Sequence, residues 1–134
     1  TGLTHSAMAG ALDSTRTLVV AGAPTVDAAG LAARTLDWLY ARGYEDLIDN
    51  AIVTLSFDWF SRDIDRDAVV EHFASCCRAV VEIPLDRHLA TGGHIRLEQL
   101  RPRTLDAAMT LAAHVADDFA DGYPHQRDAT AGAG

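Results

Sequence analysis

The chain has 134 residues, 49% of them apolar, and a formal charge of −8. That length is one domain or part of one, with enough apolar residues for a compact core. The acidic balance excludes direct nucleic-acid binding, because neutralising phosphates requires a surplus of basic side chains.

All the strongly basic residues are arginine. The absence of lysine rules out a catalytic lysine in this chain, including the lysine of a phosphate loop. Cys76 and Cys77 are adjacent. A bridge between neighbours strains the peptide that joins them, so reduced thiols and a cytoplasmic setting are expected. No apolar run approaches the roughly 18 residues of a membrane span, and no signal-peptide pattern opens the chain. The abrupt start, without an initiator methionine, reads as the loss of an upstream part.

Residues 1–13 read as a short helix carrying Ala7, Met8 and Ala11, capped by Thr4. Residues 17–21 (TLVVA) are apolar without alternation, the pattern of a strand buried on both faces. Gly22, Ala23 and Pro24 break it. Thr25 suits a helix N-cap, and Asp27 the positive end of the helix dipole. A helical pattern then places Ala29, Ala33, Leu36, Leu39 and Tyr40 on one face, and Gly43 ends it. After a polar connection with room for one helical turn, residues 51–56 (AIVTLS) form the second strand. The loop that follows, FDWFSRDID, holds three aromatics.

Asp65 can cap the next helix, whose Val69, Val70, Phe73 and Cys76 or Cys77 make a core-facing stripe. Residues 79–83 (AVVEI) form the third strand, and Pro84 stops it. Asp86 can cap a short helix that closes at Gly92 and Gly93, and residues 97–100 have room for another turn. Pro102 fits the first position of the last helix. Its apolar line of Leu105, Ala108, Met109, Ala112, Ala116 and Phe119 is expected to face the core, with Asp106, His114, Asp117 and Asp121 opposite. The organisation is a domain over residues 1–121 and a flexible polar tail over 122–134.

Strands alternating with helices predict an α/β fold. The sheet is parallel, with helices on both faces and strands near 17–21, 51–56 and 79–83. Ligands of such sheets sit beyond the C-terminal strand ends, here residues 22–25, 56–61 and 84–88. Other candidates have plainer explanations. Asp58, Asp63, Asp65 and Asp67 lack the glycine of a calcium loop and read as a cap and a solvated loop. His72, His88 and His94 have no metal-ligand spacing on one helix. Ser6 and Ser61 lack a nucleophile elbow. Gly92 and Gly93 read as a helix stop. No GxxxxGK[ST] or GxGxxG occurs.

The segments TGLTHSAMAGALD, VDAAGLAARTLDWLYARGY, DRDAVVEHFASCCRAVVEIPLDRHLATGG and LRPRTLDAAMTLAAHVADDF carry a resemblance up to about Phe119. The chain resembles the C-terminal half of a MinD/ParA-like (deviant Walker A) P-loop ATPase. Within that group it is most similar to the EspI-like ATPases of type VII (ESX) secretion loci. The resemblance implies a domain that binds ATP and Mg²⁺ in its complete form. The N-terminal half would contribute the phosphate loop and metal ligands, and the C-terminal half the contacts to base and ribose. It implies nucleotide-binding positions at Ser56, Phe57, Pro84, Leu85 and Asp86. Serine stands at 56 where the family has an adenine-contacting asparagine. It further implies no hydrolysis by this half alone. The implied partners are a second copy or the N-terminal half, together with secretion machinery. A membrane is not expected, because the polar, glycine-rich tail after Phe119 does not resemble the amphipathic anchor of MinD itself. A second expectation, from another class, is a non-catalytic interaction module using the aromatics of residues 57–61. In either case the outer edge of residues 17–21 is expected to be unpaired or covered by another chain.

Overall fold

In a computed structural model of the protein, which describes residues 6–23, 26–56 and 65–121, the apolar runs lie side by side in one parallel sheet. The elements in chain order are α1 (Ser6–Asp13), β1 (Val19–Gly22), α2 (Val26–Tyr40), α3 (Glu45–Asp49) and β2 (Ile52–Ser56). They continue with α4 (Arg66–Ala74), β3 (Ala79–Ile83), α5 (Arg87–Ala90), a 3₁₀ turn (Leu97–Gln99) and α6 (Pro102–Asp121). The sheet order is β1-β2-β3. Val20, Val53 and Val80 are register partners, as are Ala21, Thr54 and Val81.

The strand buried on both faces is β2 and not β1. Ala51, Ile52, Val53 and Leu55 are wholly inaccessible. In β1, by contrast, Val19 is 42% exposed. The apolar run at 17–21 is therefore not buried on both faces, which corrects the sequence reading, while its place at the end of the described sheet agrees with the expected open outer edge.

Side chains alternate across the pleat. Val53 and Leu55 pack with Leu36 and Leu39 of α2, Leu47 and Ile48 of α3, and Phe73 of α4 in the main core. Glu82 points the same way and pairs with Arg66 at the start of α4. The opposite face carries the buried Ile52 and Val81, and α6 covers it at β3. Among the described residues, α2, α3 and α4 thus share one face, and the long helix α6 serves the other.

Local signals placed the ends correctly. Asp65 caps α4, its carboxylate accepting the Ala68 N–H at 3.1 Å. Gly43 adopts φ 84° after α2, and Gly92 and Gly93 adopt 68° and 83° after α5, values that favour glycine. Pro102 opens α6. The α2 stripe is confirmed at Leu36 and Leu39, but Tyr40 turns to solvent and Ala32 takes the buried place.

The last helix is rotated from its sequence pattern: Leu105 is half-buried and Asp106 and Asp117 are exposed as expected, but His114 turns inward and the rest of the apolar line turns out. Thr104 is buried and Leu111, His114, Val115 and Asp118 are half-buried, whereas Ala108, Met109, Ala112, Ala116 and Phe119 are exposed. Polar anchors decide this orientation. The Asp118 carboxylate receives the Arg78 guanidinium and the Thr17 hydroxyl, and the His114 carbonyl accepts from Arg78 at 2.7 Å. Buried polar groups must find partners, and these partners lie at the N-terminal ends of β1 and β3.

Candidate functional site

β3 ends because Pro84 lacks an N–H for the ladder. The chain then turns through Leu85 into Asp86, the N-cap of α5. Asp86 is only 3% exposed. Its Oδ1 accepts the His88 N–H at 2.9 Å. Its Oδ2 accepts the Arg101 N–H and the Thr104 hydroxyl, each at 2.8 Å. The Arg101 amide, then the Thr104 hydroxyl, hold this carboxyl below the ordinary carboxylate range against the opposing effect of burial. One side chain thereby joins the end of β3 to the start of α6, across 15 residues of chain.

That junction forms a pocket of about 490 Å³. Its described walls are Pro84 and Leu85 on one side and Arg101, Pro102, Arg103 and Thr104 on the other. Two prolines and a leucine make flat apolar walls, and two arginines put cationic groups at the rim. Such a mixture suits a flat, partly polar ring attached to an anionic group. The intervening loop is fixed at one point by the Arg96 N–H, which donates to His88 Nε2 at 2.8 Å.

Ser56 is the register partner of Ile83, so it and Pro84 open onto the same border of the sheet. Ser56 is exposed and does not line the pocket with Pro84 and Leu85. The structure therefore brings Pro84, Leu85 and Asp86 together and leaves Ser56 one strand away. Asp86 stands behind the pocket with its carboxylate turned inward, fixing the walls. Phe57 and the aromatics Trp59 and Phe60 lie outside the described residues. A second depression, of about 330 Å³, sits at the end of β1 between Val20–Ala23 and Leu31, Ala32 and Thr35 of α2.

Residue-by-residue reading missed Arg101 and Arg103 as pocket walls, and missed the Arg78–Asp118 pair that sets the α6 axis behind them. The Arg103 signal was present: a basic residue beside Pro102 at a helix start facing the ligand edge. The ion pair carried no local signal. Among the described residues no group of three or more His, Cys, Asp or Glu side chains is placed to hold a metal ion.

The chain is similar to the ESX-1 secretion-associated protein EspI. The match is 34% identical over 113 residues to EspI of Mycobacterium tuberculosis strain CDC 1551 / Oshkosh, and equally to that of strain ATCC 25618 / H37Rv. It covers 82% of this chain but 17% of each relative. The aligned region is thus about one sixth of a much longer polypeptide. No family model matches the chain, and no solved structure matches it. The type VII secretion component of the resemblance is supported by these relatives. Within the described residues, no helix is long and apolar enough to cross a membrane.

Proposed function

We propose that this chain is the base-binding side of a MinD/ParA-like nucleotide switch that acts in type VII secretion. The observation that carries the reading is the pocket at the C-terminal end of β3. It lies where a parallel α/β sheet receives a ligand, and its walls combine apolar rings with arginine. The EspI similarity supports the secretion setting.

Pro84, Leu85 and Pro102 would grip the faces of a purine. Arg101 and Arg103 would lie toward the ribose and phosphates. Asp86 positions both walls and need not touch the ligand. The residues fit a base. The described ones offer no magnesium cage, so Mg²⁺ would be held by the phosphates and by a phosphate-loop segment outside this chain. Mg²⁺ and that loop supply the charge stabilisation needed for phosphoryl transfer. Nucleotide is therefore expected on the complete domain, with none bound and none hydrolysed by this chain alone, and the regulated partners are components of secretion machinery.

Isothermal titration of ATP with Mg²⁺ into a polypeptide carrying both this chain and its phosphate-loop segment tests the reading. Binding is expected, and Leu85→Arg should weaken it at least about tenfold by filling the pocket, a loss of about 1.4 kcal/mol. No heat of binding in the unmodified polypeptide overturns it.

A further inference from the structure

Two thiols that nucleotide binding leaves unused meet at the end of α4. Cys76 Sγ and Cys77 Sγ lie 3.8 Å apart. Cys76 is half-buried and Cys77 is buried. Among the described residues no third ligating side chain joins them to make a metal site. A close pair of unequal access has another use, which is two-electron redox chemistry. The peptide between them is also placed to transmit strain. The Cys77 N–H donates to the Phe73 carbonyl, and the Arg78 N–H to the Ala51 carbonyl, each at 3.0 Å. Phe73 and Ala51 are wholly inaccessible core residues. The Arg78 guanidinium then reaches Asp118 and the His114 carbonyl on α6.

We propose that Cys76 and Cys77 form a reversible redox site, closed to a disulfide by a hydroperoxide and reopened by a small thiol, and that closure loosens α6 through Arg78. The bridge forms in two steps. The more accessible Cys76 thiolate attacks a peroxide oxygen and the O–O bond breaks. The leaving hydroxide takes the thiol proton as water, and Cys76 becomes a sulfenic acid. The Cys77 sulfur then attacks the Cys76 sulfur and the S–O bond breaks. Hydroxide leaves and takes the Cys77 proton as a second water. Two thiols lose two electrons, and one hydrogen peroxide gains them.

The order of the steps follows from the surroundings. Burial pushes the Cys77 thiol up to about 12, which makes it slow toward a free peroxide. Beside the Cys76 sulfur it needs no encounter, so proximity drives the second step. Closure must bring the sulfurs from 3.8 Å to the roughly 2.0 Å of an S–S bond. Neighbouring Cα atoms are only about 3.8 Å apart, below the about 4.4 Å of ordinary bridges, so the joining peptide twists. That twist pulls on the Cys77 N–H and displaces Arg78, the next residue. The same strain keeps the thiols reduced at rest and makes the bridge easy to reopen. No nucleotide takes part, and the test uses none.

The 134-residue chain is treated with hydrogen peroxide, unfolded and alkylated, and the mass of its tryptic fragment of residues 67–78 is read. The expected fragment has lost two hydrogens and takes no alkylating agent, and dithiothreitol restores both labelling sites. Sulfinic acid at Cys76 beside an alkylated Cys77, or a bridge between two chains, overturns the proposal. Amide exchange over residues 111–119 should run at least about tenfold faster in the bridged chain and return on reduction. Unchanged exchange overturns the coupling to α6. Cys76→Ser, at a half-buried position, should abolish the response to peroxide, and a persisting response overturns the assignment to this pair. In Arg78→Ala, peroxide should speed that exchange by less than about threefold. An acceleration as large as in the unmodified chain overturns the role of Arg78.

Discussion

Arg78, at the foot of β3, grips Asp118 in the last turns of α6, 40 residues further along the chain. The same guanidinium donates to the His114 carbonyl, and Thr17 at the entry to β1 donates to the other side of the Asp118 carboxylate. This knot ties both edge strands to one helix. It fixes which side of α6 meets the sheet, and through α6 it fixes where Arg101–Thr104 stand against Pro84.

Arg78→Ala should therefore destabilise the chain by about 1–3 kcal/mol, since it leaves a largely buried carboxylate without its cation. Arg78→Lys should recover only part of the loss, because a point charge cannot serve Asp118 and the His114 carbonyl together. Urea denaturation followed by circular dichroism measures both. A double-mutant cycle with Asp118→Ala should show strong coupling, and additive effects would mean the two side chains act separately.

The Asp86 latch predicts a pH dependence with a definite sign. Its folded carboxyl titrates below the ordinary 3.8, so the folded state favours the ionised form. Stability from this group is fully present above that value and is lost as pH falls through the lower, folded-state value. Asp86→Asn should flatten the acid limb of the stability profile and loosen the pocket. Thr104→Val should remove one donor and weaken the latch less. Acid denaturation midpoints of the three proteins check the order.

The sequence was informative where the cause of structure is local. Asp65 and Asp86 were legible as caps because the backbone N–H groups that donate to them lie three and two residues away. Gly43 and Pro102 were legible because a backbone constraint acts on the residue itself. The three strands were legible as apolar runs, and their parallel order followed from the helices between them. The facing of α6 was not legible. Hydrophobic periodicity ranks Met109, Ala112, Ala116 and Phe119 as the inner side, yet Thr104, His114 and Asp118 are held inward by partners on other elements. The pocket was half legible: Pro84 to Asp86 follow from topology, while the Arg101 and Arg103 walls depend on a long-range latch.

The vicinal thiols should differ sharply in reactivity. Burial, and then the neighbouring Cys76, push the Cys77 thiol up to about 12. The thiolate is the nucleophile, so Cys77 should resist alkylation at neutral pH while half-buried Cys76 reacts first. Iodoacetamide labelling followed by peptide mass spectrometry reads the order. In denaturant both should label at similar rates. Native labelling of Cys77 ahead of Cys76 would show that the end of α4 opens more readily than its packing suggests.

Phe73 and Phe119 give the plainest check on which faces are buried. Phe73 is wholly inaccessible in the core between α4 and the sheet, whereas Phe119 is 68% exposed on α6. Truncating a buried phenylalanine removes its transfer free energy and leaves a cavity, so Phe73→Ala should cost about 3–5 kcal/mol. Phe119→Ala in the isolated chain should cost less than about 1 kcal/mol, because little contact is lost. The hydrophobic pattern alone puts both on inner faces and predicts comparable losses. Similar destabilisation by the two substitutions, measured by urea unfolding, would mean that α6 presents Phe119 to the sheet and that the Arg78–Asp118 knot does not set its facing.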